Sequence, residues 1–112
     1  MIVWHTRLLF WAHGFAPLPW LVVIHPSRRG DDALLAHEKT HCAQIKRHGV
    51  LRFWWFYLID EHFRCRMEVE AYRVQLRLRP DRLQAFAESL ASNYQLDLTP
   101  DEARELLLQP AT

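Results

Sequence analysis

The chain has 112 residues, half of them hydrophobic, which is enough apolar material for one core, so residues 1–112 are read as a single minimal domain. Its formal net charge of +1 points to no class of partner, and two cysteines without a secretory signal do not define a disulfide framework. Basic residues exceed acidic ones between Lys46 and Arg82. However, Arg64, Arg66, Arg73, Arg77 and Arg79 fall on one predicted helix as a solvated face, and the aromatics lie elsewhere, which argues against nucleic acid.

In chain order, Met1-Ile2-Val3-Trp4 and Leu8-Leu9-Phe10-Trp11 read as short strands or an irregular apolar arm. Trp20 to Ile24 reads as a strand, followed by a loop at Pro26-Ser27-Arg28-Arg29-Gly30. His5, Arg7, His13, Gly14, Pro17 and Pro19 interrupt the apolar stretch Met1 to Ile24, which falls short of an uninterrupted transmembrane span and lacks the parts of a signal peptide. The expectation is no transmembrane span and a cytoplasmic protein.

Asp31 and Asp32 are N-cap candidates for a helix over about Ala33 to His48, which Gly49 ends. A long second helix is predicted from near Leu51 to about Leu78, with Asp60 a candidate break and Pro80 its end. A third runs from about Arg82 to Asn93. Thr99-Pro100-Asp101-Glu102 has the form of a capping box with proline at the first helical position, which starts a short last helix reaching about Leu108. The sum is a mainly helical α+β domain with a small sheet beside the first helix. Phe53 to Ile59 is a run of bulky apolar residues that one core cannot take from one helix. Burial on both sides is the preferred reading; otherwise part of the run lines a hydrophobic pocket or meets a partner or membrane surface.

The first helix carries His37-Glu38-Lys39-Thr40-His41, an HExxH pentad. Histidines four apart share one face, about 6 Å apart along the axis, so both imidazoles reach one cation. Glu38, about 100° round the helix, can hold a water without ligating the metal. His48 lies about 16 Å along the axis from His37, too far for the same ion. Gln44 reads as a residue that supports a ligand or lines the pocket. A catalytic zinc needs three protein ligands and an open position. Glu68 and Glu70 on the second helix are the candidates for the third, about 200° apart so that one alone faces the metal. Glu70 has Arg66 and Arg73 as helical ion-pair partners; Glu68 shares its face with Tyr72.

HExxH on one helix followed by E-x-x-A on a later one (Glu68-Val69-Glu70-Ala71) resembles the gluzincin metallopeptidases, including the Ste24-type and ImmA/IrrE-type families, over roughly Leu34 to Gln75. The resemblance implies a zincin-like core and one Zn2+ per chain on His37, His41 and Glu68. It also implies hydrolysis of peptide bonds by a zinc-activated water, with Glu38 as general base. Members often carry Asp or Asn four residues after the ligating Glu, and this chain has Tyr72 there. Candidates to stabilise the oxyanion are Tyr72, His62 and Arg64, with Tyr57 more remote. By the same resemblance, Trp20 to Ile24 is the strand that pairs with a bound peptide. The competing class is a non-catalytic zinc-binding interaction or regulatory module, which has no need of Glu38 as a base.

Overall fold

Apolar and β-branched residues near the start of the chain build a small sheet. The computed structural model describes residues 1–109. Strands β1 (Ile2–His5), β2 (Gly14–Leu18) and β3 (Leu21–Ile24) lie in the order β1-β3-β2, so β3 is central, parallel to β1 and antiparallel to β2. Val22 and Ile24 of β3 and Ala16 of β2 bury against Cys42 of the first helix. Of the two readings for Leu8 to Trp11, the irregular apolar arm is the one that forms: its Leu9 is buried while Leu8, Phe10 and Trp11 are exposed. Strand β2 was not foreseen, because Pro17 speaks against a strand interior. An edge strand tolerates it, having no partner to receive the missing N–H. Finally, β3 has both of its edges occupied, so Trp20 to Ile24 is not the strand that can accept a peptide.

Helix α1 (Asp32–His48) begins at Asp31, whose carboxylate accepts the Leu34 N–H at 3.0 Å, and ends at Gly49, whose φ of +90° favours glycine. Lys46, Arg47 and His48 in its last turn suit the negative end of the helix dipole. The long second helix is two helices, α2 (Val50–Ile59) and α3 (Glu61–Leu78). Asp60 separates them, leaving helical geometry while its carboxylate caps α3 through the N–H groups of His62 and Phe63 at 3.0 and 3.1 Å. Helices α4 (Leu83–Asn93) and α5 (Pro100–Leu108) follow. The capping box at the head of α5 is complete, with Glu102 N–H donating to Thr99 and Thr99 N–H donating to Glu102.

Helix α1 lies between the sheet and α3. Ile45, Phe53, Phe63 and Met67 join α1, α2 and α3, while Val69, Tyr72, Phe86, Leu90 and Leu107 join α3, α4 and α5. Because α2 packs against the domain with one side only, the preferred burial of Phe53 to Ile59 is not what forms. Phe53 is buried, Trp54, Phe56 and Tyr57 are half-buried, and Trp55, Leu58 and Ile59 are exposed. Among the described residues no helix is long and apolar enough to cross a membrane.

Candidate metal centre

The i,i+4 spacing on α1 brings the Nε2 atoms of His37 and His41 to 3.2 Å of each other. From the facing side, α3 supplies Glu68, whose Oε1 is 3.3 Å from His37 Nε2 and 3.2 Å from His41 Nε2. These three separations form a nearly equilateral triangle. Ligand atoms at about 2.0–2.1 Å from a tetrahedral zinc stand about 3.3 Å from one another, so the triangle has the dimensions of one face of such a coordination shell. Glu70, the other candidate, points elsewhere: it accepts from Gln44 at 2.6 Å and from Arg47 at 3.3 Å.

Glu38 is buried beside this face. Its Oε1 is 3.9 Å from His37 Nε2, longer than the contacts of Glu68, although donor atoms of His37, Glu38 and His41 also fall within 4.8 Å of one another. Glu68 thus makes the shorter, matched contacts with both histidines, and Glu38 stands farther off. Burial pushes the Glu38 pKa up against the pull of His37 and His41. Strand β2 closes over it at Gly14, where a Cβ would sit 3.0 Å from Glu38 Cγ and 3.2 Å from its Cδ.

Supporting contacts set the ligands. Gln44 is fully buried and uses its amide nitrogen on Met67 O at 3.0 Å and on Glu70. Its oxygen therefore accepts from His41 Nδ1 at 2.9 Å, which leaves Nε2 to face the cavity. Burial works against charge on His41, yet Glu68 beside it raises its pKa to about 9. Glu68, although buried, is held well below the carboxylate range by His41 and His37. A proton on His41 and a divalent cation are thus alternatives in the same place.

Tyr57, expected to be remote, is the closest tyrosine to the ligands: its hydroxyl donates to Glu68 Oε2 at 2.5 Å. That oxygen is also 3.2 Å from His41 Nε2. Oε1 is the one shared by both histidines, so the tyrosine orients the carboxylate toward them. Removing the hydroxyl in Tyr57→Phe is expected to weaken metal affinity about 10- to 100-fold, as loss of such supporting bonds does. Competition with a chromophoric chelator would measure it. The ring stays anchored by its stack on Phe53 at 5.5 Å, so unchanged affinity would show that Glu68 needs no such support.

Tyr72 stands where the resemblance would put Asp or Asn. Its ring meets His37 edge-on at 4.5 Å, but its hydroxyl pairs with that of Tyr94 at 2.8 Å. His37 Nδ1 has no hydrogen-bond partner among the described residues. Of the other oxyanion candidates, His62 is exposed at the start of α3. Arg64 spends its guanidinium on the carbonyls of Tyr57, Tyr94 and Gln95. Neither borders the site. The contact of Tyr57 with Glu68 and the place of Gly14 are not marked by any motif, because they depend on the α2–α3 break and on a strand that Pro17 disguises.

The face of donors opens into a cleft of about 930 Å³ lined also by Tyr57, Tyr72 and Tyr94 and, along one wall, by Phe10, Trp11, Phe15 and Trp54. His25, at the end of β3, borders it as well. No protein-family model, curated protein or solved structure matches the chain.

Proposed function

We propose that the chain is a minimal zincin-like metallopeptidase, with one zinc held by His37, His41 and Glu68 and with Glu38 as general base. The observation that carries this reading is the triangle of Nε2, Nε2 and Oε1 atoms, each side 3.2–3.3 Å, with a second buried carboxylate alongside. A purely structural zinc is closed by four protein ligands; here three donors face an open cleft. Zinc, when bound, supplies Lewis-acid polarisation of a substrate carbonyl and lowers the pKa of water. Glu38 would be the group to take a proton from the attacking water and return it to the leaving amine. The buried setting that raises its pKa suits a group that must hold a proton between the two steps. Of the paired hydroxyls of Tyr72 and Tyr94 one spends its proton on the other, so the pair offers a single O–H in the cleft wall to donate to the developing oxyanion.

The exposed sheet edge beside the cleft belongs to β2, so the peptide-pairing role passes to that strand. Pairing is confined to Gly14–Ala16, because Pro17 has no N–H and its carbonyl already accepts the Trp54 indole at 2.9 Å. The aromatic wall favours substrates with large apolar side chains near the scissile bond.

Zinc stoichiometry on wild type, His41→Ala, Glu68→Ala and Glu70→Ala tests the site. Wild type and Glu70→Ala should hold one zinc per chain, and the other two should lose it. Failure of demetallated wild type to take up zinc on reloading would overturn the proposal.

A further inference from the structure

Helix α2 presents a second feature that the metal centre does not use. Leu51, Trp55, Leu58 and Ile59 follow one another at i, i+4, i+7 and i+8, the spacing of a single helix face, and are 87, 62, 72 and 60% exposed. The loop before β2 adds Phe10 and Trp11, 86 and 61% exposed. A chain of rings joins the two: Phe10 to Trp11 at 5.2 Å, Trp11 to Phe15 at 5.9 Å, and Phe15 to Trp54 of α2 at 5.8 Å. The apolar surface is therefore continuous from loop to helix. Patches of this kind mark contact with a partner or a membrane.

The charge near it is mainly positive, although Asp60 and Glu61 directly follow Ile59. Residues 1–30 and 39–59, which contain both parts of the patch, have no Asp or Glu; all 13 carboxylate residues lie elsewhere in the chain. The same segments carry Arg7 beside the loop and, where α1 turns into α2, Lys46, Arg52 and Arg47, the last paired with Glu70. Arg52 lies over the Phe56 ring, and among the described residues no carboxylate comes within ion-pair distance of it. Burial first, and then the nearby Arg47, Arg52 and Arg66 against an opposing Glu70, hold the His48 pKa below its ordinary value.

We propose that this face docks on an anionic lipid bilayer, with Trp55, Leu58, Phe10 and Trp11 entering the headgroup boundary and Arg52 and its neighbours meeting the lipid charge. Aromatic and leucine side chains on one helix face with flanking Lys and Arg are what interfacial helices use. A second copy of this chain is the competing occupant, and the state of the chain in solution distinguishes it. Phe10, Trp11, Phe15 and Trp54 also line the cleft, so docking turns the cleft mouth toward the bilayer.

Co-sedimentation of the full chain with phosphatidylcholine vesicles, with and without phosphatidylglycerol, tests this. Binding is expected to the anionic vesicles and to fall with added salt. Trp55→Ser combined with Leu58→Ser should reduce it at least about tenfold, and Arg52→Ser about fivefold. These positions are exposed, and far-ultraviolet circular dichroism confirms that the variants fold. No binding to either vesicle, equal binding to both, or binding untouched by the double substitution would each overturn the proposal. So would a dimer on gel filtration that the double substitution dissolves while vesicles go unbound, which would give the face to a second copy.

Discussion

Glu38→Gln is expected to lower peptide hydrolysis by about 10²–10⁴-fold, the range over which a positioned general base contributes, while leaving one zinc per chain. The amide keeps the volume of the carboxylate, so the close approach of Gly14 to Glu38 Cγ is undisturbed. What disappears is the ability to take and return a proton. Zinc stays because the three short donor contacts belong to His37, His41 and Glu68. Turnover of a peptide library by zinc-loaded wild type and variant, with metal content measured in parallel, reads both halves. Wild-type turnover in Glu38→Gln would place the base elsewhere. Wild type with zinc but without turnover, indistinguishable from the variant, would leave the non-catalytic zinc module as the function.

The helical part of the fold is legible chiefly where a boundary has a local chemical cause. Asp31, Asp60 and Thr99 each cap a helix with their own side chain, and Gly49 ends α1 at a positive φ. Such signals act over three or four residues and survive without tertiary context. The sheet was only half legible. Its strands are four or five residues long, too short for alternation to distinguish an edge from a centre. The order β1-β3-β2 rests on pairing between distant segments, and Pro17 disguised the strand that matters most to the cleft. The face of α2 was misjudged for a related reason. Hydrophobicity around the whole helix says that burial is favourable, not that the fold has two surfaces to offer.

At the site, the geometry brings His37, His41 and Glu68 together, because four-residue spacing on one helix and a single facing carboxylate are nearly rigid requirements. Gln44, one turn beyond His41, is where a supporting residue was looked for, and its amide sets the orientation of that imidazole. Tyr57 reads from the sequence only as a remote oxyanion candidate. It lies on a different helix from Glu68, and only the turn at Asp60 folds its hydroxyl back to the carboxylate.

Zinc is expected to raise the melting temperature of the wild-type chain by roughly 15 °C when free zinc is about a thousandfold above its dissociation constant. Binding to the folded state alone then contributes about 4 kcal/mol, and a domain of this size moves by about 4 °C for each. The physical reason lies in the metal-free centre. Two imidazoles and a carboxylate are buried there within 3.3 Å of one another. Against the effect of burial, the neighbouring Glu68 raises the His41 pKa to about 9, so positive charge is favoured at this point. A divalent cation satisfies all three donors at once. Glu68→Gln keeps the shape and an oxygen for Tyr57 but offers zinc a neutral, weak ligand, so the zinc-induced shift should fall to a small fraction of that in wild type. Glu70→Gln should retain it, since Glu70 contacts Gln44 and Arg47 and none of the metal-facing atoms. Differential scanning fluorimetry with and without zinc separates the cases. An undiminished shift in Glu68→Gln would mean that the stabilising ion sits on other histidines of the chain and that the triangle of donors is not its site.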